Sequence, residues 1–212
     1  MRRAPHVPVR SLATEDHQAA VTVLVDAFGT YPTLRWVLAP SPMPHDAALA
    51  ALLGFFVTAR LLRGEPVLGA FTGGRLAGVA LVSNPDGQSP EELDHHREAL
   101  WNGLGDAARE RYEAHGAAAA AAGEPVTDPR LYLNLLGAAR VARGQGVGGA
   151  LLEHLLAAPS AQGRTVVAVT EDPANLTFYQ RHGFNVVGYQ AFGDDLTVWA
   201  LGRAAGPSDG LA

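Results

Sequence analysis

Apolar residues recur along this chain at two spacings, and the alternation between them outlines its elements. After a short strand around Val7 to Ser11, Thr14 is suited to cap a helix whose first turn carries Glu15 and Asp16, and Ala20, Leu24 and Phe28 then repeat at helical intervals. Gly29-Thr30-Tyr31-Pro32 stops that helix. An apolar segment follows at Leu34, Trp36, Val37 and Leu38, then a proline-rich turn from Pro40 to Pro44, then a second helix over about Asp46 to Leu62. Apolar residues nearly surround this second helix, which places it deep in the core or along a pocket. The runs Val67 to Phe71 and Leu76 to Val82, joined by Thr72-Gly73-Gly74-Arg75, read as an antiparallel hairpin.

From Asn84 to Asp128 the pattern changes. Ser89 to Tyr112 is polar and helical in spacing, and an alanine run, Ala117 to Ala122, ends at Gly123-Glu124-Pro125. This stretch, about residues 89–123, reads as a helical insertion covering the domain. Next come a strand at Leu131 to Ala138, a helix at Val147 to Leu156 and a β-branched strand at Thr165 to Thr170, together a strand-helix-strand unit. A short helix from Asn175 to Arg181 and strands near Phe184 to Tyr189 and Leu196 to Leu201 close the chain, with a disordered tail expected over 204–212. Antiparallel strands first, one crossover, then closing strands predict a single mixed-sheet α/β domain, of the α+β kind, over residues 1–203.

Composition narrows the chemistry. At 212 residues and 48% hydrophobic, the chain can bury a full core. Its formal charge of −5 argues against a broad grip on nucleic acid, so an anionic ligand must be held locally. There is no cysteine, which excludes disulfides, thiolate metal sites and a cysteine acyl-enzyme. The longest apolar stretch, Ala47 to Val57, falls short of the roughly 20 residues that span a bilayer, and Pro5, His6 and Pro8 stand where an export signal would need an apolar run. The expectation is a cytoplasmic protein with no membrane partner. His95-His96 beside Glu91, Glu92 and Asp94 is the one hint of metal, but adjacent helical residues do not share a face, and a solvated surface with no metal is expected.

The densest chemical signal is Arg143-Gly144-Gln145-Gly146-Val147-Gly148-Gly149, between a strand and a helix. Its glycines let the backbone turn tightly and expose N–H groups at a helix N-terminus, where the dipole favours phosphate, and Arg143 adds a cation. Gly144, Gly146 and Gly149 also satisfy a dinucleotide fingerprint, but that fold puts its first glycine directly after the strand, whereas Ala139 to Arg143 intervene here. No Gly-Lys-Ser or Gly-Lys-Thr is present, so a Walker loop is excluded.

Arg143-Gly144-Gln145-Gly146-Val147-Gly148 resembles the central motif of the GNAT N-acetyltransferase family, and Asn175, Phe178-Tyr179 and Gly183-Phe184 are similar to its second signature. The segment Ala27-Phe28-Gly29-Thr30-Tyr31-Pro32 and the long insertion look like the puromycin N-acetyltransferase branch. One departure is Ala138-Ala139-Arg140, where the family commonly has Val-x-Pro; Arg140 there would add a second cation near the phosphates. The resemblance implies a GNAT fold: a central, mostly antiparallel sheet of six to seven strands flanked by helices, with splayed fourth and fifth strands. It implies acetyl-CoA as cosubstrate and transfer of an acetyl group to a primary amine of a small molecule through a ternary complex. The alternative is an acyl-CoA-binding sensor or structural domain without catalysis.

The resemblance also assigns residues. Leu136, Gly137 and Ala138 would pair with the pantetheine arm, and Gly144 to Gly149 with Arg143 would hold the pyrophosphate. Tyr179 would protonate the departing sulfur, or else be a core aromatic like Phe178, which packs beside the cofactor. Asn175 would bind the pantetheine, cap its helix, or both. Glu171 would take the amine proton, directly or through water, or else be a surface acid beside Asp172, and Asn134 could position a water. Tyr31 would line the acceptor pocket, or simply end its helix with Pro32; apart from the resemblance, Trp36 could add a wall to that pocket or pack in the core. His182 would be a surface neighbour of the cofactor. The expected assembly is a monomer or homodimer.

Overall fold

Two adjacent glycines with positive φ, Gly73 at 55° and Gly74 at 76°, fold the first hairpin in the way that the right-handed twist of paired strands favours. The hairpin joins β2 (Val67–Thr72) to β3 (Arg75–Ser83), and β1 (Val9–Ser11) pairs antiparallel on the outer side of β2. The computed structural model describes residues 7–126, 129–158, 161 and 163–204; the expected tail lies, apart from Ala204, outside them. Beyond β3 the sheet continues through β4 (Arg130–Ala138), β5 (Thr165–Thr170), β7 (Leu196–Ala204) and β6 (Asn185–Phe192), in the order β1-β2-β3-β4-β5-β7-β6. Every neighbouring pair is antiparallel except β4–β5, whose parallel pairing requires the crossover helix α6 (Val147–Ala157). This is the expected mixed sheet.

Helices cover both faces. On one, α1 (His17–Phe28) and α3 (His45–Leu62) bury Leu24, Leu49, Leu52 and Leu53 completely. On the other, α6 and α7 (Ala174–Arg181) enclose Leu151, Leu152, Tyr179 and Phe184 with Val166 of β5. α3 is long and apolar enough to cross a bilayer by composition, unlike the shorter run read from the sequence. Its contacts are those of a core helix, with His17 Nε2 of α1 at 3.0 Å from Thr58 Oγ1 and 3.2 Å from the Gly54 carbonyl.

Several boundaries differ from the sequence reading. Thr14–Asp16 is a single 3-10 turn, because Asp16 accepts the Ala13 N–H at 3.1 Å, and α1 begins only at His17. The apolar segment after Tyr31 is a short helix, α2 (Pro32–Val37), with proline at its first position, where no N–H is needed. The insertion is two helices, α4 (Glu92–Leu104) and α5 (Asp106–Gly123), broken at Gly105, whose φ of 86° only glycine adopts readily. α5 lies on β6 and β7 with Ala118 and Ala122 buried against them. That close approach depends on Gly188: a Cβ there would fall 2.3 Å from the Ala122 carbonyl oxygen.

Candidate active site

β4 and β5 part company midway. Their pairing runs from Arg130↔Thr165 to Leu133↔Ala168, while β4 goes on to Ala138, leaving its last five residues without a partner on that side. A bulge marks the same place: Leu81 faces Leu135 and Val82 faces Leu133, so Asn134 is the extra residue on β4. A bulge bends and twists its strand, and here it turns β4 away from β5. The unpaired backbone of Leu136, Gly137 and Ala138 is the edge an amide-bearing arm can add to. Gly137 has a packing role as well, since a Cβ would lie 2.9 Å from Phe28 and 3.0 Å from Ala27.

The glycine loop follows β4 after one 3-10 turn, Arg140–Ala142. Gly144 (φ 76°) and Gly146 (φ 81°) are left-handed, and α6 starts at Val147, so the N–H groups of its first turn have no helical carbonyl to meet. The Val147 side chain is buried, and Gln145 Nε2 folds back to donate to the Val141 carbonyl at 2.9 Å. Gly148 and Gly149 are glycines for packing: a Cβ would come 3.1 Å from Phe178 in one case and 3.0 Å from His182 Nε2 in the other. Phe178 and His182, ring centroids 4.7 Å apart, thus brace the loop's helix from α7. Arg143 donates to the Ala27 carbonyl at 3.1 Å and is otherwise exposed. Arg140 is not a free second cation: its side chain and its backbone N–H both bind Asp26, at 2.8 and 2.6 Å, which holds that carboxyl below its ordinary pKa.

Above the opening lies a cavity of about 410 Å³. Leu81 of β3 and Asn134 to Leu136 of β4 form its floor; Phe28, Leu34, Phe56 and Arg60 come from the first three helices and Tyr31 from the turn between α1 and α2; Tyr112, His115 and Ala119 from α5; Thr170 and Glu171 from the end of β5, and Asn175 and Tyr179 from α7. Trp36 is not in this lining. Its ring packs edge-to-face on Phe192 at 5.4 Å, held there because Gly193 leaves space under it, so α2 turns it toward the sheet edge.

The polar centre of the cavity is a chain of hydrogen bonds at the end of β5. Glu171, its side chain 6% exposed, accepts from His115 Nε2 at 2.7 Å. The Glu171 N–H donates to the Tyr31 hydroxyl at 3.0 Å, and that hydroxyl lies 3.1 Å from Thr170 Oγ1. Asn175 Nδ2 donates to Thr170 Oγ1 at 3.0 Å, while Asp172 Oδ1 caps α7 by accepting from the Ala174 N–H at 2.9 Å. The capping role offered to Asn175 therefore belongs to Asp172, and Glu171 is buried where the surface reading would have exposed it. Tyr179 is 7% exposed. Burial, then the nearness of Tyr31 and Glu171, pushes its phenol above the ordinary value, and burial followed by the Glu171 charge does the same to Tyr31. Both phenols thus ionise less readily than an ordinary tyrosine.

Tyr31, Asn134, Glu171, Asn175 and Tyr179 thus meet in one cavity, and Leu136 to Gly149 form the loop and strand edge beside it. The sequence reading missed His115, Thr170 and Arg60. His115 stands alone in an alanine-rich helix, and its partner is 56 residues away. The His95-His96 pair lies on exposed α4, His96 near Glu92 at 3.8 Å, and no metal-holding group of three such side chains forms among the described residues.

Residues 105–186 match the acetyltransferase (GNAT) domain family. A solved structure of similar fold is described as the histone acetyltransferase HPA2 and related acetyltransferase of Corynebacterium glutamicum, 25% identical, with 96% of this chain and 98% of that one covered and a TM-score of 0.67. The polyamine N-acetyltransferase of Drosophila melanogaster is 16% identical over 94% of this chain and all of the other, with a TM-score of 0.61. An N-acetyltransferase of Staphylococcus aureus is also 16% identical, over 95% and 99%, with a TM-score of 0.55. No curated protein sequence matches the chain. The fold is the GNAT fold, and fold and domain match together define the class: the chain is an acyltransferase.

Proposed function

We propose that this chain moves the acetyl group of acetyl-CoA to a primary amine of a small molecule by direct attack in a ternary complex. The observation that carries this reading is the convergence of a buried carboxylate, Glu171, and a hydroxyl held neutral, Tyr179, in one cavity at the opening between β4 and β5. The residues present fit the cosubstrate: the N–H groups at the start of α6, from Gly146 to Gly149, with Arg143, and a strand edge at Leu136 to Ala138 without a partner on the β5 side. Bound there, acetyl-CoA supplies the activated acyl group as a thioester.

The chain's own residues then handle protons. An alkylammonium with an ordinary pKa of about 10.4 must lose a proton before it can attack. Glu171 receives it, directly or through a water at Asn134, and His115, bonded to the carboxylate, fixes its orientation. Tyr179 is the hydroxyl placed to give its proton to the departing sulfur, although burial makes it a weaker acid than an ordinary phenol. Tyr31 holds the Glu171 backbone in place and lines the acceptor side, which supports the likeness of the Ala27 to Pro32 segment to the puromycin branch.

Thiol release from acetyl-CoA in the presence of a panel of amines tests the reading. Turnover with at least one amine is expected; tight CoA binding with no turnover on any would instead indicate a sensor. Tyr179→Phe should lower kcat by about 100-fold, within the range for a lost proton donor, with CoA affinity nearly unchanged. If the affinity fell with the rate, the proton-donor role would be lost.

A further inference from the structure

The proposed reaction sheds more protons than Glu171 can hold. An alkylammonium carries three protons on nitrogen and the amide product carries one, so two must leave as the N–C bond forms and the C–S bond breaks. One of them restores Tyr179 after it has protonated the sulfur, and the other goes to solvent. Glu171 is a single carboxylate with its side chain 6% exposed, and it takes up one proton at a time. The site needs a second acceptor with a route to solvent.

His115 has the form of that acceptor. Its Nε2 lies 2.7 Å from Glu171 Oε1, and an ionised carboxylate only accepts, so the neutral ring carries its hydrogen on Nε2 and keeps a lone pair on Nδ1. Nδ1 makes no hydrogen bond among the described residues and, unlike the unpartnered nitrogens of His45 and Arg60, retains open surface. The ring lines the cavity, its side chain is 21% exposed, and Phe192 meets it edge-on with centroids 5.3 Å apart, which holds its plane. A ring that takes a proton on Nδ1 keeps its bond to Glu171, so neither partner has to turn.

The other ionisable groups near the ring are already committed. Tyr31, Tyr112 and Tyr179 line the same cavity, and burial leads each phenol to ionise less readily than usual. Arg60 is paired with Glu65 at 2.6 Å, and Glu113 of α5 is exposed and paired with Arg109 at 2.8 Å. α2, packed on α5, carries exposed Arg35, whose Nε is directed at the Gly29 carbonyl, and β6 carries Tyr189, 72% exposed. Among the described residues no charged group of α4 or β7 lines the cavity.

We propose that His115 is a second proton acceptor of the site: through Nδ1, directly or by way of a water, it takes the proton that Glu171 does not, and passes it to solvent. This rests on the acetyl-transfer reading for the same site, and the test separates the two. Thiol release is followed with phenethylamine, benzylamine and spermidine, and the fastest is carried forward at saturating acetyl-CoA. His115→Gln keeps an N–H for Glu171 but offers no nitrogen lone pair. An imidazole ordinarily titrates at about 6.5 and a carboxylate at about 4.3, so the ratio of wild-type to variant kcat/KM, in which the amine's own ionisation cancels, should widen with pH. It should be about threefold or less at about pH 5.5 and at least tenfold at about pH 8, with the Kd for CoA within threefold throughout. In His115→Ala, a substitution that an alanine-rich helix accommodates, added imidazole should restore amine-dependent rate in proportion to its unprotonated fraction. That variant takes the place of His115→Gln if the latter does not fold. A ratio that stays the same across the pH range, or a rate that imidazole does not restore, overturns the proposal while acetyl transfer stands. No amine-dependent thiol release from the wild type removes the acetyl-transfer reading, and this proposal with it.

Discussion

The loop from Arg143 to Gly149 and the cavity above Asn134 both begin on the C-terminal half of β4, yet they are built from different material. The loop presents backbone. Its glycines set the path, the proposed cosubstrate would be held by its N–H groups, and Phe178 and His182 only brace it. The cavity presents side chains from the first three helices, α5, α7, β3, β4 and the end of β5, and at its polar centre α5 delivers His115 to Glu171. A ligand whose recognition can be met by backbone needs few residue identities, all local. A pocket that must handle a proton needs particular functional groups, which the chain brings in from wherever they can be packed. The lesson is that the donor half of such a site tolerates wide sequence change outside its glycines, whereas the acceptor half is reset by single side chains.

Substitutions at the two halves should therefore fail in different ways. Glu171→Gln keeps the shape of the cavity and the His115 contact but removes the proton acceptor; kcat should fall by about 100-fold or more, with CoA affinity by calorimetry nearly unchanged. Equal loss in rate and in CoA affinity would merge the two halves into one. Gly146→Val attacks the other half. A β-branched residue at φ 81° is strained by about 1–2 kcal/mol, and the loop will relax to relieve it, so the Kd for CoA should rise about tenfold while kcat at saturating acetyl-CoA stays within a few-fold.

Gly188→Ala probes the wall instead of either ligand. Its Cβ meets the Ala122 carbonyl, so α5 must move off β6; the melting temperature should drop by several degrees and His115 should disengage, lowering kcat with little effect on CoA binding. An unchanged kcat in a destabilised variant would show that His115 is dispensable. The smallest effect is on stability at high pH. Burial raises the phenols of Tyr31, Tyr112 and Tyr179 above the value near 10 at which they titrate when unfolded. Above about pH 10 the folded chain thus binds more protons than the unfolded one, and stability declines as pH rises; below it these groups contribute no slope. Melting temperatures between pH 8 and 11 should be level at first and then fall, less steeply in Tyr179→Phe.

Much of the fold was legible in the chain because its signals are local. Gly73-Gly74 specifies a hairpin, and the crossover from β4 through α6 to β5 follows from a strand pattern, a glycine loop, a helical pattern and a β-branched run in succession. The glycine loop was legible for the same reason. On the acceptor side, Tyr31, Asn134, Glu171 and Asn175 were named, but the detail went elsewhere: Asp172 took the helix cap, and Trp36 packed on Phe192 outside the cavity. His115, in an alanine-rich helix, gave no periodic or motif signal, and neither did Arg60 in α3.

The sequence by itself determined the order of elements, the position of the glycine loop and the residues able to turn there, because each depends on neighbours within a few positions. Only the tertiary structure decided where β4 and β5 separate, at the Asn134 bulge, and which distant groups meet above that gap: His115 with Glu171, and Tyr31 with Thr170. Those pairings are set by how α3 and α5 pack on the sheet, with small residues such as Ala122 and Gly188 fixing the distance of approach, and no spacing along the chain encodes that distance.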